Sequence, residues 1–368
     1  MPIGRKIHIA MIATNLELNG ISSVIMNYCC NIDLRHFNIV LFVGHNVALV
    51  HKEKCKKLGI EICELAHRKK ETVKYYRELY QGLGRQHFDI AHVHGSNSAI
   101  AIELFIAALC GVKVRIAHSH NTTCMNMKVH IMLKPFFNRI YTKGFACGYR
   151  AGEWLFGNKK FVVIPNGFDV SKFRYDLKER KRMRNELGIE NKFVIGHIGR
   201  FNEQKNQSYI LEIFKYVAEW IDNAVLLLVG TGVLFEKIAE KVKMHPYRDR
   251  VIMYGETNII EEMYMAMDVF VFPSKFEGFP VALLEAQISG LPCVISDLIT
   301  EEAILNDNVY RLSIYEKPCI WAEFINKLSV EGRELVYEKI LNVITKYEIK
   351  NTVKILENEY YEMIKDKE

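Results

Sequence analysis

Apolar and polar positions alternate between two periods along this chain. In the first half, short β-rich runs at Ile7–Ala13, Asn38–Val43, Asp89–His94 and Lys113–His118 predict strands. Between them, Ser22–Cys30 and Glu71–Leu83 carry the spacing of amphipathic helices. Such alternation predicts βαβ units around a parallel sheet. A further strand, Phe161–Ile164, ends in the turn signal Pro165-Asn166-Gly167. A charged stretch from Lys172 to Lys192 follows, centred on Lys178-Glu179-Arg180-Lys181-Arg182, and reads as a linker with a short helix. The pattern then restarts with strands at Phe193–Ile198, Ala224–Val229, Val251–Tyr254, Val269–Phe272 and Pro292–Ser296, and residues 320–364 read as helical. The expectation is an α/β protein of two Rossmann-like domains facing across a cleft. The first would span residues 1–170, the linker 171–192 and the second domain 193–350. A closing helix, 351–368, has the first domain as a candidate packing partner. In such sheets ligands bind outside the carboxyl ends of the strands.

The length of 368 residues suits two cores of ordinary size. With 49% apolar and 25% charged residues the composition is that of a soluble globular protein. No apolar run approaches the roughly 20 residues that span a bilayer, and the start shows no cleavable leader pattern, so a cytoplasmic location is expected. The nine cysteines are odd in number, scattered and without a C-x-x-C pair, which fits buried apolar residues better than disulfides or zinc. Charge is divided unevenly. Residues 1–170 carry 22 lysines and arginines against 11 acids, whereas the remainder has a net charge of −5. A basic half suggests a face that meets an anionic surface; a merely solvated face is the alternative.

The chemistry concentrates between Pro273 and Pro292. Here Ser274-Lys275-Phe276-Glu277-Gly278-Phe279-Pro280 follows an apolar strand and opens a helix containing Glu285. Pro280 suits the first helical position, and Gly290 with Pro292 suits its stop. Gly278 permits close approach to free N–H groups, a seat for a diphosphate. Glu277 and Glu285 could each accept two bonds from vicinal hydroxyls; on spacing alone they could equally be a solvent-facing carboxylate and a capped helix. Gly199-Arg200-Phe201-Asn202-Glu203-Gln204-Lys205 leaves another strand, and Arg200 and Lys205 could converge on phosphate oxygens. Gly230-Thr231-Gly232 lacks the third glycine of the dinucleotide fingerprint. Asn19-Gly20 lies before the first helix, either as a plain turn or where donor phosphates meet backbone. His92 and His94 end one strand and His118 and His120 its neighbour. They fit the lining of a ligand cleft, with Asn121, better than a metal site, since no carboxylate or thiol spacing accompanies them.

Taken together and in order, these motifs closely resemble glycosyltransferase family 4, the retaining group with the GT-B fold, over nearly the whole chain. The resemblance rests on Asn19-Gly20, Ala117-His118-Ser119-His120-Asn121 and Val163 through Asp169. It continues with Gly199 through Asn206, Val229-Gly230-Thr231-Gly232, Asp268 through Ser274 and the E-x7-E element Glu277–Glu285. Ser296-Asp297-Leu298-Ile299 with Glu301-Glu302 resembles the bacterial capsule and exopolysaccharide subgroup. The resemblance implies that Arg200 and Lys205 neutralise the leaving diphosphate. Glu277 would hold donor-sugar hydroxyls and Glu285 the ribose. Gly278, Phe279 and Pro280 would support the phosphates, with Gly199, Gly230, Gly232 and Gly20 also at the donor. His118 would stand near the anomeric carbon, and His94, His120 and Asn121 toward the acceptor. It implies a metal-independent hexosyltransferase without cofactor that takes a nucleotide sugar, most simply UDP-linked, to a saccharide or lipid-linked acceptor. No nucleic acid is involved, and the expected place is the cytoplasm or the inner face of the cell membrane. Two departures stand out: Asn19 replaces the first glycine of a usual pair, and Gly148 stands where serine is common. A nucleotide-sugar epimerase of the same architecture and a non-catalytic sugar-nucleotide-binding regulator are the rival readings.

Overall fold

The computed structural model describes residues 5–124, 126–328 and 333–365. The first four residues and the last three of the expected closing helix, 351–368, lie outside the described residues, as do 329–332 of the stretch read as helical. The chain forms two compact units, one of Met1–Phe168 with Lys346–Glu368 and one of Asp169–Thr345.

The first unit runs β1 (Ile7–Ala13), α1 (Gly20–Asn31), β2 (Phe37–Val43), α2 (Leu49–Leu58), β3 (Glu61–Glu64), α3 (Thr72–Leu83), β4 (Ile90–Gly95) and α4 (Ala101–Leu109). It continues with β5 (Val114–Ser119), α5 (Met127–Ile140), β6 (Lys143–Ala146), α6 (Tyr149–Phe156) and β7 (Val162–Val163). The strands pair in parallel in the order β3-β2-β1-β4-β5-β6-β7. Strands covered on both faces must be apolar on both, and β1 is buried at every position but His8. Asp89, just before β4, ties the amino-terminal ends of the central strands, accepting from Arg5 at 2.7 Å and from the His8 amide at 2.9 Å.

The second unit holds α7 (Leu177–Glu186), β8 (Phe193–Ile198), α8 (Gln207–Trp220), β9 (Ala224–Val229), α9 (Phe235–Lys243), β10 (Val251–Gly255) and α10 (Ile260–Ala266). Then come β11 (Val269–Phe272), α11 (Val281–Ile288), β12 (Cys293–Ser296), β13 (Val309–Leu312), α12 (Pro318–Asn326) and α13 (Arg333–Ile344). Its parallel order is β10-β9-β8-β11-β12-β13. The last helix, α14 (Ile349–Lys365), belongs to the first unit. It packs on α1, and the Asp33 amide donates to its Glu357 at 2.8 Å.

The stretch 171–192, expected as a linker, is an integral part of the second unit. Its helix α7 looks linker-like because most of its residues face solvent, yet Arg180 and Arg184 both reach Asp268 at the start of β11. Asp268 in turn accepts from the Val194 amide at 2.7 Å, so the pair ties α7 to the mouth of β8. Strands β3, β6 and β13 were absent from the sequence reading, and the run Phe161–Ile164 pairs only at Val162–Val163.

Candidate active site

In the second unit the strand order reverses between β8 and β11, so the loops that leave these two strands diverge and open a crevice at their carboxyl ends. These are the loops carrying Gly199–Lys205 and Pro273–Pro280. They are laced together by backbone. The Lys275 amide donates to the Gln204 carbonyl at 2.8 Å, and Gln204 Nε2 donates to the Phe276 carbonyl at 2.8 Å. Asn206, in the left-handed region at φ 59°, turns the chain into α8. Lys205 Nζ and Glu277 Oε1 meet at 2.6 Å, both nearly enclosed, with the ammonium 4.4 Å from the centre of the Phe272 ring. The sequence-predicted cation and carboxylate are thus brought together, although 72 positions separate them.

Around the pair, Gln207 Nε2 donates to the Arg200 carbonyl at 3.0 Å and approaches His197 Nε2 at 3.3 Å. His197 is wholly buried beneath, its Nδ1 at 2.9 Å from the Val271 carbonyl, and burial pushes its pKa down to about 3. A neutral imidazole therefore braces the floor of the loop. The glycines of the β9 loop have a local cause. Gly230, at φ 125°, would put a Cβ 2.2 Å from the Gly199 carbonyl oxygen, and Gly232, at φ 156°, one 2.5 Å from that of Phe201. Both are required by the crossing of two loops, a reason that holds with or without a ligand.

Pro280 is the residue before α11, not its first helical residue, and no side chain caps the helix. Helix N-terminal amides left without a cap suit anionic oxygens. One turn in, Glu285 Oε2 accepts from the Tyr264 hydroxyl at 2.9 Å. Burial raises the Glu285 carboxyl to about 7, and the Tyr264 bond pulls it back. Tyr264 is absent from the sequence reading, since nothing in a lone tyrosine on α10 announces that it will reach α11. Arg333, also unforeseen, donates to the carbonyls of Tyr264, Met267 and Ser289 and so fixes the far end of α11.

The first unit has its own reversal, between β1 and β4. Asn19, where the family pair has glycine, caps α1: its Oδ1 accepts from the Ser22 amide at 3.1 Å. Gly20 follows, and a Cβ there would meet nothing within 4 Å. Its lack of a side chain is not demanded by its own fold. On the next strands, β4 and β5 pair with His94 beside His118, and four imidazoles stack on one face of the sheet. The Tyr360 hydroxyl lies 2.6 Å from His92 Nδ1, His92 Nε2 lies 3.0 Å from His118 Nδ1, and His94 Nδ1 lies 2.8 Å from His120 Nε2. Burial lowers all four, His92 and His120 to about 3.

His118 is fully buried, and His120, just beyond β5, is buried too, at 8% exposure. The Asn121 carbonyl oxygen Oδ1 accepts from the Thr122 amide, shaping the loop that follows. Among the described residues, His92, His94 and His118 are also a grouping with metal-ligand nitrogens, within 4.8 Å of one another. His94 Nε2 and His118 Nε2 have no hydrogen-bond partner; the other nitrogens of the three pair between His92 and His118, with Tyr360 and with His120.

Comparison with known proteins agrees with this architecture. Residues 179–335 match the family described as glycosyl transferases group 1. EpsF of Bacillus subtilis (strain 168), named as a glycosyltransferase, is 36% identical over 259 residues, 67% of each chain. An Escherichia coli UDP-Gal:alpha-D-GlcNAc-diphosphoundecaprenol alpha-1,3-galactosyltransferase is 29% identical over 291 residues, 75% of this chain and 73% of that one. The crystal structure of Anabaena HepE in complex with UDP and glucose superimposes with a TM-score of 0.79 over 96% of this chain and 99% of that one, at 14% identity. That likeness concerns the fold, which is GT-B. The chain belongs to the group 1 glycosyltransferases.

Proposed function

We propose that this glycosyltransferase moves a hexose or N-acetylhexosamine from a UDP sugar to a lipid-linked saccharide in capsule or exopolysaccharide synthesis, with retention and without a metal. The pairing of Lys205 with Glu277 on two loops at the sheet's reversal carries the reading. The relatives' names support the substrate class, since one is a galactosyltransferase to a diphosphoundecaprenol acceptor and another, from Staphylococcus aureus, a capsular polysaccharide glycosyltransferase.

The reaction breaks the bond between the anomeric carbon and the diphosphate and forms one to an acceptor oxygen. Its largest demand is the negative charge that develops on the leaving group. Lys205, Arg200 and the uncapped start of α11 answer that demand with fixed positive charge and amide dipoles. Glu277 holds Lys205 in place before donor arrives and accepts from sugar hydroxyls afterwards. Glu285, oriented by Tyr264, takes the ribose hydroxyls. In the retaining course the acceptor attacks from the face the diphosphate leaves, and the acceptor proton passes to the departing phosphate oxygen. No divalent ion is needed in this scheme, and no D-x-D sequence occurs in the chain. The first unit, with His94, His118, His120 and Asn121, takes the acceptor, and the protein works at the inner face of the membrane.

Lys205→Ala tests the reading. Loss of one preorganised charge-stabilising group costs about 100–1,000-fold in kcat. The variant also removes the ammonium that faces Glu277, so Lys205→Ala/Glu277→Gln is measured beside it, with melting temperatures for both. Near-normal turnover by a folded variant would remove Lys205 from the chemistry.

A further inference from the structure

The basic first unit has one helical layer whose outer face is unusually apolar. Helix α3 packs on α4 and α4 on α5. The ring of Phe105 on α4 meets that of Phe136 on α5 at 5.5 Å, which joins the two helices into one surface. On α5 only His130 and Phe137 are buried; His130 stacks on Trp154 at 4.4 Å and pins the helix down. Its exposed apolar residues are Met127, Ile131 and Met132, the last two 64% and 69% exposed, with Phe136. Leu109, one turn beyond Phe105 on α4, is 59% exposed, and α3 adds Val73 and Tyr80 seven positions apart. Eight exposed large apolar side chains on three adjoining helices are more than scattered exposure explains.

Charge says what covers it. The three helices carry Lys74, Arg77, Lys128, Lys134 and Arg139 against two acids, Glu78 and Glu103. Both acids are engaged: Glu103 lies buried against Arg68 at 2.5 Å, and Glu78 accepts from the Ala66 amide at 2.7 Å. Arg77, Lys128 and Arg139 are exposed, Lys113 stands exposed just past α4, and Lys74 is exposed but pairs with Glu71, the residue before α3, at 3.3 Å. Apolar side chains beside an excess of cations, with Glu103 paired to Arg68 and Glu71 to Lys74, are the composition of a surface that lies in the headgroup layer of an anionic bilayer. A protein partner or a second copy of equal apolar content would have no use for the unbalanced cations.

We infer that the α3–α4–α5 face is the membrane-docking surface of this chain. Its apolar side chains enter the outer acyl region and its lysines and arginines contact anionic headgroups. The inference rests on the proposed lipid-linked acceptor and names the face that reaches it. It also displaces another candidate, the lysine cluster Lys52, Lys54, Lys56 and Lys57 of α2, where Lys52 already pairs with Glu64 at 2.6 Å.

Co-sedimentation with vesicles of phosphatidylcholine alone and of phosphatidylcholine with phosphatidylglycerol tests it, at low and high salt. The wild-type protein should pellet with the anionic vesicles and less so as salt rises. Ile131→Asp/Met132→Asp should lower the partition coefficient by at least about tenfold while melting temperature holds, because both side chains already face solvent. Charge reversal of Lys54, Lys56 and Lys57 should change it by less than about threefold. Binding that survives the α5 variant but is lost in the α2 variant overturns this face and leaves membrane docking standing. No binding of the wild-type protein to either vesicle overturns both. Sedimentation velocity serves as the control: a dimer that the α5 variant converts to monomer, without vesicle binding, makes the patch a self-association surface and overturns the inference.

Discussion

Glu285 shows how one side chain can be set against the stability of its own fold. Burial raises its carboxyl to about 7, so the folded second unit binds this proton more tightly than the unfolded chain does. Stability from this group is therefore full below its ordinary value near 4.5 and is lost as pH rises through about 7. Ribose hydroxyls donate hydrogen bonds and favour the ionised form, so donor affinity runs the other way and strengthens with pH over the same window. Glu285→Gln should melt higher than wild type at pH 8 and bind UDP at least about tenfold more weakly, with the pH dependence of affinity removed. Calorimetric titration with UDP from pH 5.5 to 8.5 checks this. An affinity that is flat with pH in the wild type, or unchanged in the variant, would contradict the assigned role. The Glu277–Glu285 spacing was legible in the sequence as a pattern; Tyr264, which orients Glu285, was not, because it comes from a different helix and no local motif marks it.

At the scale of elements, two glycines that look alike in sequence separate on physical grounds. Gly230→Ala forces a Cβ to 2.2 Å from the Gly199 carbonyl at φ 125° and should destabilise by more than about 1–3 kcal/mol, read as a lower melting temperature. Gly20→Ala meets open space and should leave stability unchanged or raise it by up to about 1 kcal/mol, yet lower transfer. Undiminished transfer by Gly20→Ala would return that glycine to the role of a plain turn. The strands the sequence hid are explained by position. Strands β3 and β13 lie at sheet edges, and their polar residues, such as Glu61, Glu64 and Arg311, break the apolar run that marks a covered parallel strand. Strand β6 is four residues long and contains Gly144, whose absent side chain admits Phe156. Helix α7 misled in the opposite sense. Its charge reads as linker, but Arg180 and Arg184 point inward to Asp268, a partner more than 80 positions away. Among the histidines the alternation of β4 and β5 sets His92, His94 and His118 in one stack, and His120, just beyond β5, extends it.

For the whole molecule, the two-unit α/β plan was legible because parallel strands covered on both faces leave continuous apolar runs, and the order of motifs identified the family before any geometry was known. The assignment of chain to unit was less so: the second unit starts at Asp169, and α14 returns to the first, because those boundaries follow long-range packing and not local composition. No described helix is long and apolar enough to cross a membrane. The central claim is that the Lys205–Glu277 constellation transfers sugar from a UDP donor with retention and without a metal. It is tested most directly by incubating the protein in excess chelator with UDP-hexoses and an undecaprenyl-diphosphate sugar, then reading the new linkage by the anomeric proton coupling in NMR. The account predicts an α-linked product from a UDP-α-sugar, formed at the same rate when magnesium or manganese is restored. A β-linked product, transfer that appears only with the metal, or conversion of the sugar nucleotide with no acceptor present would contradict it.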